Sequence, residues 1–217
     1  MTSVAPLVGP VATALGVAGA LLAFRRGRPW AYGVAKGVAS IGFLATALAS
    51  GAAAEGWTRW VLVALAQSAA GDVALAVRAK RGFLAGLALF LLAHATFVVA
   101  FALRGVAALP LAAAGLGVGL ALVLGWRAGR EHLPRAMRVP VAAYGMVLGT
   151  MVALALATGA AHPSAALVLG ALLVAGSDLA VARERFATKG FANKVIGLPT
   201  YYLGPTLVAL ALALAAA

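Results

Sequence analysis

The 217-residue chain has no cysteine and little acid, with five Asp and Glu against seventeen Lys and Arg. Without cysteine there is no disulfide, thiolate metal site or thiol nucleophile. The three histidines, His94, His132 and His162, fall in different parts of the chain and form no clustered imidazole set for zinc. No metal or other cofactor is expected. No Gly-rich phosphate loop, Walker pattern or Gly-x-Ser-x-Gly elbow is present, and no Ser-His-Asp set points to an acyl-enzyme. Charged residues make up only 10% of the chain and aromatics 7%. That is too little polar side chain to cover a water-facing exterior.

Apolar residues dominate instead, at 64%. They fall into eight runs, about 5–24, 31–50, 59–77, 82–103, 107–126, 139–158, 164–182 and 192–215. A helix needs about 20 residues to cross a hydrocarbon core about 30 Å thick. The expectation is an all-α membrane protein, a single bundle of eight transmembrane helices. No composition shift marks a second domain, so 1–217 reads as one polytopic unit.

The net charge of +12 sits in short loops. Arg25, Arg26 and Arg28 follow the first run, and Arg78, Lys80 and Arg81 the third. Arg127, Arg130, Arg135 and Arg138 follow the fifth, and Arg183, Arg185, Lys189 and Lys194 surround the seventh gap. Even-numbered gaps hold only Arg59 and Arg104 at helix ends. These cations read as topology signals facing anionic lipid headgroups, not as a nucleic-acid surface. The positive-inside rule then puts odd loops in the cytoplasm and both termini outside. The first run lacks a preceding positive segment, so it reads as an uncleaved helix. The Ala- and Gly-heavy composition suits a bacterial inner (plasma) membrane. Pairs such as Gly33 and Gly37, or Gly115 and Gly119, are expected where helices approach closely; a homo-oligomer is left open.

Inside the apolar runs the ionisable residues are Lys36, Asp72, His94 and Asp178, with Tyr144, Tyr201 and Tyr202 as further polar groups. Glu55, Glu131 and Glu184 read as solvated loop charges. Asp72 precedes Arg78 by six residues and Asp178 precedes Arg183 by five, placing each acid roughly 8–9 Å inside the cytoplasmic boundary. The third and seventh helices run in the same direction, so the two acids share a depth. Gln67, Ser68 and Asp72 form a polar stripe on the third helix, and Lys36 lies deep enough to reach the acids. Pro199 removes a backbone donor and is expected to open the last helix near the tyrosines. Tyr202 follows Phe191 by eleven residues, as His94 follows Phe83, which suggests parallel repeats of four helices.

Intramembrane acids are costly and commonly functional. Two desolvated carboxylates near each other tend to hold one proton between them, supplying an acid and a base together. That suits hydrolysis of an acid-labile ether through an oxocarbenium-like species. A proton relay in a carrier would use the same pair, and a lipid-binding protein could use the acids only to fix helix packing.

The segments Gly71-Asp72, His94, Tyr144, Ser177-Asp178 with Arg183 and Phe186, and Thr200-Tyr201-Tyr202 resemble the YhhN family of lysoplasmalogenase-like membrane proteins. The resemblance runs from Lys36 to Tyr202. It implies eight helices and hydrolysis of the vinyl ether bond of a lysophospholipid, releasing a fatty aldehyde and a glycerophospho-ethanolamine or -choline. It implies Asp72 and Asp178 as catalytic acids. Substrate-binding roles are expected for Lys36, His94, Tyr144, Ser177, Arg183, Tyr201 and Tyr202. The chain departs from the family pattern at Lys36-Gly37, in place of Lys-Pro, and after Tyr202, where a glutamine is missing.

Overall fold

The computed structural model describes residues 5–53, 56–76, 80–186 and 190–215. Arg78, Lys189 and Glu55 lie outside the described residues. Eight α-helices follow in order: α1 Ala5–Arg25, α2 Pro29–Ala49, α3 Gly56–Ala76, α4 Lys80–Arg104, α5 Ala108–Gly129, α6 Arg135–Ala161, α7 Ala165–Phe186 and α8 Phe191–Ala215. A short 3-10 turn, Arg130–His132, links α5 to α6. Seven of the helices are long and apolar enough to cross a membrane. The other is α3, where Arg59, Gln67, Ser68 and Asp72 dilute the apolar run. Proline at the start of α2 sits where no backbone donor is needed. Gly27 and Gly105 close α1 and α4 at φ of +64° and +100°, a left-handed conformation that a Cβ disfavours.

Successive helices form hairpins, α1 with α2, α3 with α4, α5 with α6 and α7 with α8. The hairpins meet through α2 against α3 and α8, and through α6 against α4 and α7. Lipid is as apolar as leucine, so close packing must do what the hydrophobic effect does in water. Close approaches fall at other glycines than the pattern suggests, among them Gly16 and Gly42 between α1 and α2 and Gly170 and Gly204 between α7 and α8. A Cβ on Gly170 would lie 2.8 Å from the Gly204 carbonyl, and one on Gly204 2.9 Å from that of Gly170. By contrast Gly37, Gly115 and Gly119 face open space, and Gly33 only just meets Ala76. None of the α5 residues is buried, and Gly115, Gly117, Gly119 and Gly125 of that helix have no neighbour where a Cβ would lie.

Two further expectations change. The last helix is not opened at Pro199: α8 continues through both Pro199 and Pro205. Glu184 is not a loop charge, because α7 extends to Phe186. Its carboxylate accepts hydrogen bonds from Asn193 Nδ2 at 2.7 Å and from the Gly190 amide at 3.1 Å. These bonds tie the end of α7 to the start of α8. The added turn also sinks Asp178 deeper, to about 12 Å from its helix end.

Candidate active site

Helical periodicity assembles two polar clusters. Lys36 and Ser40 are one turn apart on α2, and both reach Asp72 on α3. Lys36 Nζ lies 2.8 Å from Asp72 Oδ1. Ser40 donates to Asp72 Oδ2 at 2.8 Å. From α8, the Tyr201 and Tyr202 hydroxyls approach the same oxygen, each at 3.1 Å. The Tyr202 hydroxyl is also 3.2 Å from the Lys36 carbonyl, but its single proton serves one acceptor at a time. An isolated charge at mid-bilayer costs about 2.5–3.5 kcal/mol. Here the carboxylate meets a cation and three hydroxyls, so its charge is matched. The Asp72 side chain is only 3% exposed.

Two neighbours on α3 flank this cluster. Ser68, one turn before Asp72, turns its hydroxyl back to the Ala64 carbonyl and does not reach the acid. Gly71 lies under the Phe90 ring, where a Cβ would come within 2.9 Å of a ring carbon. Phe90 in turn meets Tyr201 edge-on, with ring centres 5.7 Å apart. The glycine beside Asp72 thus lets α4 close over the tyrosine that binds the acid.

The second cluster joins α4, α6 and α7. The Tyr144 hydroxyl donates to Asp178 Oδ2 at 2.7 Å, and His94 Nε2 lies 3.4 Å from the same oxygen. The His94 and Tyr144 rings meet edge to face, 5.4 Å apart. The Asp178 side chain is 14% exposed, against 3% for His94. Asp178 lines a cavity of about 90 Å³. The rest of the wall follows the helical repeat: Met137, Pro140, Val141 and Tyr144 on α6, Asp178, Val181, Ala182 and Arg185 on α7, and Phe83 and Leu87 on α4.

The expected site residues therefore divide. Lys36, Asp72, Tyr201 and Tyr202 share one cluster, while His94, Tyr144 and Asp178 share the other. Ser177 joins neither: it is buried and donates to the Val174 carbonyl at 2.8 Å. Arg183 is exposed on another face of α7. Five residues beyond Asp178 turns a helix about 140° away, whereas seven residues returns to within about 20°. Arg185 is thus the α7 cation that lines the cavity. Reading of the sequence missed both Arg185 and Ser40. The signals were their helical offsets, seven from Asp178 and four from Lys36.

A cleft of about 630 Å³ lies beside the cavity, between α5, α6 and α7, and shares Val141, Ala182 and Phe186 with it. Its wall is mostly apolar, with Arg127, Arg130 and His132 at the turn after α5. Among the described residues no group of three or more His, Asp or Glu is placed to hold a metal ion.

Long apolar helices packed around buried acids, one of them lining a cavity, define a multi-pass integral membrane protein with a polar site within its span. The model of the YhhN family matches residues 33–212, and the chain belongs to that family. Over 157 residues it is 36% identical to the human (Homo sapiens) protein lysoplasmalogenase TMEM86B. The match covers 71% of this chain and 64% of the human protein, so the chain spans less than two thirds of that relative's length. No solved structure matches it.

Proposed function

We propose that this protein is a lysoplasmalogenase-like hydrolase that cleaves the vinyl ether bond of a lysophospholipid at Asp178. The observation that carries the reading is the contrast between the acids. Asp178 lines an apolar cavity, held by Tyr144 and His94, whereas Asp72 is enclosed by Lys36, Ser40 and two tyrosines. Family membership and the activity named for the human relative support the choice of reaction. The neighbouring cleft offers an alkyl chain enough room, being within the range of small-molecule sites, about 300–1,000 Å³.

In this scheme the protonated Asp178 carboxyl donates its proton to the vinyl carbon distal to the ether oxygen. The double-bond electrons form the new C–H bond, leaving an oxocarbenium ion. The Asp178 carboxylate, steadied by the Tyr144 hydroxyl and His94, stabilises that cation and then takes a proton from water as the water adds to it. The resulting hemiacetal breaks its C–O bond to the glycerol. It yields a fatty aldehyde and a glycerophospho-ethanolamine or -choline, and Asp178 ends protonated as it began. Asp72 is a positioning residue, fixing Lys36 and the two tyrosines.

We further infer a single polytopic unit with the basic loops in the cytoplasm and a parallel repeat of four helices. The pairings support the repeat: α3 lies against α2 as α7 lies against α6, and α8 meets α2 as α4 meets α6. Each acid then sits at the corresponding junction.

Aldehyde release from lysoplasmalogen by purified protein in detergent tests the reaction, with Asp178→Asn beside the wild type. Aldehyde from the wild type alone is expected. If neither protein releases it while both are folded, the hydrolase reading fails.

A further inference from the structure

We propose that Arg185 is the phosphate-binding residue of the lipid site, selecting a phosphate-bearing amphiphile over a neutral glycerol ether. The inference deepens the hydrolase reading and rests on it. Arg185 and Asp178 line one cavity, and among the described lining residues Arg185 is the one cation. The rest of the described wall is apolar apart from Tyr144 and Asp178. The cavity therefore has a carboxyl at one end and a cation at the other, with a greasy wall between them. A neutral lipid offers the cation only uncharged oxygens, whereas an anionic phosphate adds charge-assisted, bidentate hydrogen bonds.

The spacing fits that occupant. Seven residues along α7 separate Asp178 from Arg185, about 10 Å of rise. The guanidinium lies over the Phe83 ring, 4.5 Å from its centre. Phe83 is eleven residues before His94, the partner of Asp178, which is about 16 Å along α4. The guanidinium thus sits about 10–16 Å from the carboxylate along the helices. In a lysophospholipid, seven bonds join the carbon to be protonated to the phosphorus, about 8–9 Å when extended at about 1.2 Å per bond. A contact of about 3 Å at each end brings the span to about 14–15 Å. The Phe83 ring supports the guanidinium carbon, and a guanidinium placed in this way can offer paired N–H donors to a phosphate. Among the described residues Arg185 makes no salt bridge to a carboxylate.

Binding decides the matter without reliance on turnover. The probes are a saturated 1-O-alkyl lysophosphoethanolamine, which lacks the vinyl group, and the matching 1-O-alkylglycerol, which lacks the phosphate. Each is titrated against the wild type, Arg185→Gln and Arg185→Lys in detergent. Arg185→Gln should weaken the phospholipid about ten- to hundredfold and leave the alkylglycerol unchanged, with Arg185→Lys in between. Equal loss for both lipids, or loss for neither, overturns the proposal. Inorganic phosphate that competes as strongly as the lipid would mark a free-anion site and also overturn it. Aldehyde release from lysoplasmalogen is followed in parallel. Phosphate-selective, Arg185-dependent binding without aldehyde upholds the anchor and removes the reaction. Aldehyde release without Arg185-dependent selectivity does the reverse.

Discussion

Asp72 and Asp178 are the same residue type on two helices, yet their surroundings differ. Asp72 is locked to Lys36 at 2.8 Å. Removing its charge should strand a buried lysine, a change that costs about 3–5 kcal/mol. Asp72→Asn is therefore expected to lower thermal stability in detergent markedly. The double variant Lys36→Met with Asp72→Leu should regain most of the loss, since an apolar pair leaves no orphaned charge. A double variant as unstable as the single would mean that the stranded lysine is not the cause. Asp178→Asn should behave differently, keeping the fold while reducing turnover by about 10²–10⁴-fold, the range for a lost general acid. Tyr144→Phe removes one charge-assisted hydrogen bond and should cost about tenfold or somewhat more in kcat.

At the level of helices, the bundle is held where backbones touch. Gly170 and Gly204 bring α7 and α8 together, and α8 carries the tyrosines that reach Asp72. Gly170→Val would push the pair apart, and an overpacked contact costs about 1–3 kcal/mol. The same change at Gly115, which meets nothing within the chain, should be nearly neutral. Melting temperatures of the two variants, measured side by side, check this contrast. Equal losses would place an intermolecular contact on α5. Helix boundaries were largely legible in the sequence, because apolar run length tracks bilayer thickness. The end of α7 was not, since Arg183 and Glu184 look like loop but extend the helix to Phe186.

For the molecule as a whole, the basic residues predict one orientation in the membrane. The absence of cysteine makes this simple to measure, because every introduced thiol is the only one. His132→Cys, in the turn after α5, should react with an impermeant maleimide only from the cytoplasmic side, and Ser50→Cys, after α2, only from the outside. The reversed pattern would sink the assignment.

By itself the sequence determined the class, the number of helices and the short roster of polar residues a membrane must account for. Those follow from composition and period, which are local properties of a chain in hydrocarbon. Which polar groups meet was decided only by the tertiary structure. Lys36 and Ser40 meet Asp72 because α2 packs against α3 and α8, and Arg185 rather than Arg183 lines the cavity because α7 turns that face towards α4 and α6. Neighbours across helices depend on crossing points and rotation, and a linear pattern of apolar residues on all faces carries little information about either.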